Sequence, residues 1–212
     1  MATDVGATAE RARRLGRVYA AIDAANARDP NSCEIDGRRE PAELVYGRRM
    51  SEALAQLDPD ASDLLRIAVR GQHIERWTSP RKNYPDGRVG YLKWRKDLGD
   101  FHARRLAAIM AEAGYAAEEA ARVGMLVRKE RLKLDPEVQT LEDVACIVFL
   151  THYIGDFAAK TDQDKLAGIL AKTWRKMSER GRAHALTLAL PAEIAALLER
   201  GLAALPSSGA GD

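Results

Sequence analysis

Four polar side chains fall on the apolar stripes of four different predicted helices, and their chemical types suit metal binding. They are His73, His102, Glu130 and Asp143. Helices of a bundle bring such inward side chains together in the core, as in carboxylate-and-histidine metal proteins. Two imidazoles and two carboxylates favour manganese, iron, magnesium or zinc over a metal that prefers thiolates. Such a cation generates hydroxide near neutral pH and polarises a phosphate group, so the set predicts hydrolytic chemistry.

The segment that carries Asp143 is apolar at nearly every helical position, so it predicts a buried helix. It runs from Gln139 to Phe157 and places Glu142 directly before Asp143. Buried carboxylates are rare unless they are paired, hydrogen-bonded or bound to a metal. We therefore expect Asp143 to be catalytic as well as a metal ligand, and Glu142 to orient the site or act as a base. Alternatively, both acids lie in a first helical turn and only complement the helix dipole.

The other three candidate ligands have structural alternatives of their own. Either histidine can be a hydrogen-bonded core residue that binds nothing. Glu130 can pair with Lys129 or Arg131 in solvent if its helix ends a few residues early.

Basic and aromatic residues interleave from Arg76 to Lys96, in and around a loop with two prolines and two glycines. Guanidinium groups bind phosphates through paired hydrogen bonds, and aromatic faces stack on bases. The residues expected to bind substrate in this segment are Arg76, Arg81, Arg95 and Trp94. The alternative is a helix-loop-helix corner with its tryptophans in the core and its basic groups in solvent.

A second basic cluster extends from Lys172 to Arg182, and Lys172 and Arg175 are its candidate substrate-binding residues. Cations near a helix C-terminus also complement the dipole, so the cluster needs no ligand to explain it.

Helical spacing predicts the elements that must position these side chains. Predicted helices cover residues 8–26, 41–57, 61–77, 91–113, 117–131, 163–177 and 191–204, and the buried helix opens at Asp135-Pro136. Residues 33–35 are expected to be a short extended segment, and no strand pair is expected. The chain should form an all-α fold, a single globular domain of seven to nine helices over residues 1–205. Residues 206–212 are expected to be a disordered tail.

The bulk composition narrows the class of protein. The 212 residues include 33 basic and 31 acidic side chains, a net charge of +2, which is low for a protein that coats nucleic acid. No apolar run approaches the ~20 residues that span a bilayer, and no signal peptide is visible. Two cysteines are too few for a disulfide framework. We expect a cytoplasmic protein with no membrane partner, and the oligomeric state stays open.

Three segments together resemble a bacterial and fungal family known as domain of unknown function 4202. They are the run from Gln72 to Trp77, the run from Asp135 to Ala145 and the run from Lys172 to Ser178. The resemblance extends from about Val18 to Leu202, and the family's name implies no activity.

A more distant likeness concerns the His-Asp (HD) metal-dependent phosphohydrolase superfamily, whose order of helices this chain resembles. The helix from Leu65 to Ile74 is similar to the one that ends in His-Asp, with Gln72-His73 at that position. Phe101-His102-Ala103 is similar to a downstream histidine segment, and Leu141–Ala145 to the helix that bears the last aspartate. The early helix has no histidine. The resemblance implies an HD-like bundle around the buried helix and a metal-dependent phosphohydrolase.

The leading hypothesis is therefore a metal-dependent phosphohydrolase that acts on a nucleotide or another phosphorylated small molecule. One alternative is a noncatalytic RNA- or nucleotide-binding module that uses the segment from Arg76 to Lys96. Another is a protein-interaction domain in which the inward charges form a neutral structural network.

Overall fold

The computed structural model of the chain describes residues 2–203, apart from the side chains of residues 2–5 and 7. Ten α-helices and one pair of short strands lie in that range. The chain divides into two compact units, one ending at Leu141 and one beginning at Glu142. The division falls inside a helix, which therefore contributes to both units.

The first unit contains five complete helices and the strand pair. Its elements are α1 (Ala2–Asn26), β1 (Ser32–Ile35), β2 (Arg38–Pro41), α2 (Ala42–Leu57), α3 (Asp63–Arg70), α4 (Gly87–Glu112), α5 (Ala117–Val127) and the start of α6 (Pro136–His152). α3 packs against α1, α2 and α5, and α4 packs against α1 and α5. The core of this unit therefore forms around α3, whose Leu65, Ile67 and Val69 are at most 1% exposed.

The second unit contains the rest of α6 and four further helices. They are α7 (Ile154–Ala158), α8 (Gln163–Lys176), α9 (Glu179–Ala185) and α10 (Ala192–Ala203). α8 packs against α10. α8 begins as the sequence predicts, because the carboxylate of Asp162 accepts the N–H groups of Asp164 and Lys165.

The all-α class is confirmed, and so is the buried helix. Val144, Ile147 and Leu150 of α6 are at most 2% exposed. The described residues form more helices than the seven to nine expected, because the chain breaks at Tyr153 and then forms the five-residue α7. The seven-residue α9 adds another, and such short helices leave little periodic signal in a sequence. The expected tail at 206–212 lies outside the described residues.

The expectation of no strand pair is wrong. β1 and β2 form an antiparallel hairpin in which Ser32 pairs with Pro41 and Ile35 with Arg38. Asp36 and Gly37 connect them with φ of 49° and 75°, the two positive values that a tight hairpin turn needs. The strands are short and polar, so they lack the alternating apolar pattern that identifies most strands.

α3 and α5 both end earlier than the sequence predicts. α3 ends at Arg70 instead of continuing to Trp77, and Gly71 follows it. α5 ends at Val127 because Lys129, at φ 56°, adopts the left-handed conformation that terminates helices. His73 and Trp77 therefore do not share a helix face, and Glu130 does not lie on α5.

No helix within residues 2–203 has both the length and the apolar character needed to cross a membrane. Cys33 and Cys146 are thiols and are not joined by a disulfide.

Candidate functional site

The turn that follows α3 brings five polar or aromatic side chains of the first unit together. We call Glu43, Tyr46, His73, Arg76 and His102 the His73 site. The ring of Tyr46 stacks on that of His73, with centroids 4.0 Å apart and planes within 10°. The ring of His102 lies 6.3 Å from that of His73. Three elements, α2, α4 and the turn, thus meet at His73.

A left-handed residue, Glu75, fixes the shape of this turn. Its φ is 51°, a conformation that disfavours a non-glycine residue by about 1–2 kcal/mol. Its N–H donates to Asn26 Oδ1 at 2.9 Å, and Asn26 is only 1% exposed. Its carboxylate accepts hydrogen bonds from Arg28 at 2.6 Å and Arg105 at 2.5 Å. These hydrogen bonds compensate for the strained backbone of Glu75. They also fix the turn in which His73 and Arg76 lie.

Glu43 lies in the first turn of α2, where its N–H donates to Asp29 Oδ2 at 2.9 Å. Its side chain is 17% exposed, and Oε2 lies 3.3 Å from His73 Nδ1. Burial raises the pKa of Glu43 to about 7; Arg76 opposes that rise and Asp29 adds to it. Glu43 can therefore release or take up a proton near neutral pH, as a general acid or base must.

The contacts of His73 indicate its protonation state. Arg76 Nη1 lies 3.0 Å from Nε2 and 3.3 Å from Nδ1 of His73, so it contacts both ring nitrogens and does not select between them. Nδ1 also lies 3.3 Å from Oε2 of Glu43, so a proton on Nδ1 can be donated to this oxygen, which leaves Nε2 as the basic nitrogen. Burial, followed by the positive charges of Arg76, Lys129 and Arg95, lowers the pKa of His73 well below its usual value. His73 is thus a neutral imidazole in positively charged surroundings.

His102 has a similar arrangement on α4. It is 4% exposed, and its Nδ1–H donates to the carbonyl of Ile74 at 2.9 Å. Burial, and then the neighbouring ring of His73, lowers the pKa of His102 to about 3. Both histidines direct Nδ1–H towards an oxygen, which leaves Nε2 as the basic nitrogen. Imidazoles that bind cations or transfer protons are usually oriented in this way.

Trp94 lies in the core, and this position does not favour the expected stacking of its ring on a base. Trp94 is 8% exposed, and its indole N–H donates to the carbonyl of Ser79 at 2.9 Å. The guanidinium of Arg76 lies over its ring, 5.2 Å from the centroid. This arrangement matches the alternative in which the tryptophans of the segment are structural.

Arg81 and Arg95, the other two expected binding residues of the segment, have different roles in the structure. Arg81 donates to the carbonyls of Tyr84 at 2.9 Å and Gly87 at 3.5 Å, which holds the loop before α4. Arg95 is exposed, and its Nη1 lies 3.3 Å from Tyr91 Oη. Its charge still lowers the pKa of His73, so Arg95 stays a candidate at the site and Arg81 is primarily structural.

The prediction that Glu130 points inward is wrong. Glu130 is exposed, and its carboxylate accepts a hydrogen bond from Arg128 Nε at 2.6 Å. The physical reason is the left-handed Lys129, which ends the helical stripe before Glu130. The alternative, in which Glu130 forms an ion pair in solvent, is closer to the structure, although it named Lys129 or Arg131 as the partner.

Asp143 and Glu142 stabilise a turn in the second unit. Asp143 is 3% exposed and accepts the N–H of Ser178 at 2.8 Å and its hydroxyl at 2.5 Å. Ser178 in turn caps α9 by accepting the N–H of Gly181 at 3.0 Å. Glu142, 5% exposed, has Oε1 3.3 Å from Lys176 Nζ. These hydrogen bonds and the ion pair explain why the two acids are buried. A catalytic role for either residue stays a prediction.

The four expected metal ligands are therefore in different surroundings. His73 and His102 lie together, Glu130 is exposed, and Asp143 belongs to the second unit. Among the residues that the structure describes, no group of three or more His, Cys, Asp or Glu side chains could hold a metal ion.

Lys172 and Arg175 are both exposed on α8 of the second unit. Their exposure does not test the expectation that they bind anions, which stays a prediction.

Sequence reasoning missed Glu43, Asn26, Asp29 and Lys129. An acid in a first helical turn after Pro41 is usually explained by the dipole, so Glu43 gave no separate signal. Asn26 and Asp29 looked like ordinary residues at a helix end and a turn. Their buried positions, at 1% and 8% exposure, would have been the informative feature.

Comparison with known proteins gives one finding at the level of family. No curated protein and no solved structure matches the chain. Residues 16–198 match a family described as Domain of unknown function (DUF4202). The match covers well over half of the chain and includes the whole His73 site, so this protein belongs to the family of domain of unknown function 4202.

Proposed function

We propose that the His73 site binds the phosphate group of a nucleotide or another phosphorylated small molecule and hydrolyses the ester. One observation carries the proposal: Arg76 lies 3.0 Å from His73, and the charges of Arg95 and Lys129 also act on this neutral ring. Three cations thus act on an imidazole that carries no charge of its own. A phosphate group is the ligand that such a cluster fits, because guanidinium groups bind it through charged hydrogen bonds.

The contacts around His73 also support a reaction. A bound phosphate offers Arg76 a better acceptor than His73, which frees Nε2 of the imidazole. Nε2 then takes a proton from water, the hydroxide attacks phosphorus, and the bond from phosphorus to the leaving oxygen breaks. The proton passes to the leaving oxygen, which completes the balance of the step. Glu43, 3.3 Å from Nδ1, stabilises the imidazolium in between.

Binding of the anion would itself prepare this base. Burial is the larger cause of the lowered pKa of His73, and the charges of Arg76, Lys129 and Arg95 lower it further. A phosphate group that neutralises these charges removes their part of the shift, so the pKa of His73 rises when substrate is bound. A base whose pKa lies near the working pH is the more effective catalyst.

The likeness to HD phosphohydrolases belongs to this proposal as support for the reaction type. Gln72-His73 follows the end of α3, and His102 lies on α4. Cys33 and Cys146 are thiols and not a disulfide, which supports the proposal of a reducing, cytoplasmic location.

A divalent cation stays part of the proposal with a smaller set of protein ligands. His73 and His102 would hold it through Nε2, a role that excludes Nε2 of His73 as the base, and the remaining ligands would be water and phosphate oxygens. Manganese, iron, magnesium and zinc all accept such mixed ligands. The cation would supply charge stabilisation for the phosphate. Elemental analysis of protein purified without chelator, compared with the His102→Ala variant, tests this part.

The alternative of a noncatalytic RNA- or nucleotide-binding module has less support. Trp94 is buried beneath Arg76, and Arg81 donates to the backbone of its own loop. Neither side chain is available to contact RNA or a nucleotide, as a module that uses the whole segment would require.

Orthophosphate binding, measured by calorimetry, tests the core of the proposal. The native chain should bind orthophosphate, and Arg76→Ala should weaken the binding about tenfold or more, since a charged hydrogen bond contributes about 1.5–3 kcal/mol. Hydrolysis of p-nitrophenyl phosphate and of a nucleotide panel is then compared in the native chain, Glu43→Gln and His73→Gln. Loss of a general base should lower turnover by roughly 10²–10⁴-fold.

Arg13→Ala is the matched control, because Arg13 is an exposed basic residue of α1 whose side chain is 71% accessible. It removes one positive charge from the same unit and should leave binding unchanged. Binding that is equally strong in Arg76→Ala and the native chain would overturn the proposal.

A further inference from the structure

The connection between α5 and α6 has an unusual backbone. We call residues 128–134 the basic loop. Lys129, Arg131 and Lys133 adopt φ of 56°, 59° and 73°, and the residues between them have negative φ. Three of the five non-glycine residues with positive φ in the described chain thus occur at alternate positions of one short loop. A run of alternating signs of φ turns successive N–H groups towards one concave side, which is the geometry of an anion-binding nest.

The first three N–H groups of the loop, those of residues 128–130, complete α5, and the next three do not. Lys129 donates to the carbonyl of Leu126 at 2.9 Å, and Glu130 donates to that of Met125 at 3.1 Å. The N–H groups of residues 131–133 have no hydrogen-bond partner in the part of the chain that the structure describes. An anion would satisfy N–H groups that no other described group accepts.

Two side chains of the loop, those of Arg131 and Lys133, add positive charge. The one acid of the loop, Glu130, is paired with Arg128 at 2.6 Å. Arg131 and Lys133 are exposed, and neither forms an ion pair with another described residue. The concave backbone therefore lies in a segment whose unpaired side chains are cationic.

The basic loop begins beside the helix that carries the His73 site. A Cβ placed on Gly99 would lie 3.3 Å from Cγ of Arg128, so the loop packs closely on α4. Gly99 is one helical turn before His102, and Arg128 Nε lies 3.9 Å from the neighbouring Asp100. The charge of Lys129 acts directly on His73, which places the start of the loop within electrostatic reach of the site.

We propose that the basic loop is a second anion site, which binds another phosphate group of the ligand whose first phosphate lies at His73. This inference rests on the proposed function and specifies its substrate class: a compound with two or more linked phosphate groups, such as a diphosphate. The loop contributes backbone N–H groups of residues 131–133 and the charges of Arg131 and Lys133. A monophosphate reaches only the His73 site.

Calorimetry with orthophosphate, pyrophosphate and tripolyphosphate tests the inference in the full chain. Pyrophosphate should bind at least about tenfold more tightly than orthophosphate. Two variants of one residue separate backbone from charge. Lys133→Asn removes the charge but tolerates φ above zero, whereas Lys133→Val also disfavours that conformation. Lys133→Asn should bind pyrophosphate a few-fold more weakly than the native chain. Lys133→Val should lose the preference for pyrophosphate altogether. The affinity for orthophosphate should be unchanged in both variants.

Arg13→Asn is the charge control and should keep the preference. An equal affinity for orthophosphate and pyrophosphate in the native chain would overturn the inference, and so would a preference unchanged in Lys133→Val. Pyrophosphate binding that Lys133→Val removes but Arg76→Ala leaves intact would also overturn it, because one ligand would not bridge the two sites. Failure of the proposed function has a separate readout, because Arg76→Ala and the native chain would then bind orthophosphate equally well.

Discussion

At the scale of single residues, Glu43 and His73 form a pair in which each pKa is displaced towards the neutral form. Glu43 is a carboxylate with a raised pKa, and His73 is an imidazole with a lowered one. The 3.3 Å between Glu43 Oε2 and His73 Nδ1 is the distance of an ion pair, yet burial keeps the pair largely uncharged. Displaced pKa values of this kind concentrate at functional sites.

The raised pKa of Glu43 predicts a dependence of stability on pH. The pKa in the folded state, about 7, exceeds the ordinary value of 4.5, so the folded state holds this proton more tightly. Its contribution is complete below pH 4.5 and is lost as the pH rises through 7. Between pH 5 and 8.5, urea unfolding of the native chain should lose roughly 2–3 kcal/mol more than Glu43→Gln. Equal losses in the two proteins would contradict the burial of an ionisable Glu43.

The hydrogen bonds of the two histidines predict the less common tautomer for both. Nδ1 of His73 lies 3.3 Å from Oε2 of Glu43, and Nδ1 of His102 donates to Ile74, so both rings should carry their proton on Nδ1. Long-range nitrogen–proton NMR spectra at pH 6 should show two neutral rings of this form. Spectra of His73→Gln and His102→Gln provide the assignments. A charged ring at either position at pH 6 would show that the contacts are wrong.

At the scale of elements, helical periodicity predicted the long helices and missed the ends that create the site. α8 and the buried α6 follow from apolar spacing and a capping Asp162, which are local signals. After α3 comes Gly71, on which Leu106 of α4 packs closely, and after α5 comes the left-handed Lys129. Neither is a local preference, so sequence alone extended both helices. His73 and His102 were predicted as candidates, whereas Glu43 became visible only through its burial.

Gly71 predicts a steric cost at the end of α3. A Cβ there would lie 2.4 Å from Cδ2 of Leu106, a side chain that is fully buried. Gly71→Ala should therefore destabilise the chain by about 1–3 kcal/mol in urea unfolding. Gly16→Ala in α1 is the control, since nothing lies within 4 Å of its Cβ position. The control should gain about 0.5–1 kcal/mol from helix propensity. A neutral Gly71→Ala would mean that Leu106 moves freely.

The turn between α8 and α9 predicts coupled effects for Asp143 and Ser178. Asp143→Ala leaves the N–H of Ser178 without its acceptor, which should destabilise by about 1–3 kcal/mol. Ser178→Ala removes the cap of α9, at about 1 kcal/mol. Because the two side chains are bonded, the double variant should fall short of the sum by about 0.5 kcal/mol or more. Additive losses in thermal unfolding would argue against this structural role.

At the scale of the whole molecule, the charge is nearly balanced while the His73 site is locally positive. The net charge of +2 gives little long-range attraction for a polyanion, so binding depends on a few local cations. The salt dependence of RNA binding tests this. Contacts limited to Arg76, Arg95 and Lys129 predict a slope of log K against log salt near about −2. A module that uses all seven basic residues from Arg76 to Lys96 predicts about −5 instead.

The contact between Arg76 and Trp94 has a practical consequence. The guanidinium lies 5.2 Å from the centre of the indole ring, and the indole is otherwise shielded from water. A ligand that draws Arg76 away changes the electric field at the ring, and with it the wavelength of tryptophan emission. The chain has two further tryptophans, Trp77 and Trp174, whose background is measured in Trp94→Phe. The protein thus contains an intrinsic fluorescent probe with which unlabelled compounds can be screened for occupancy of the site.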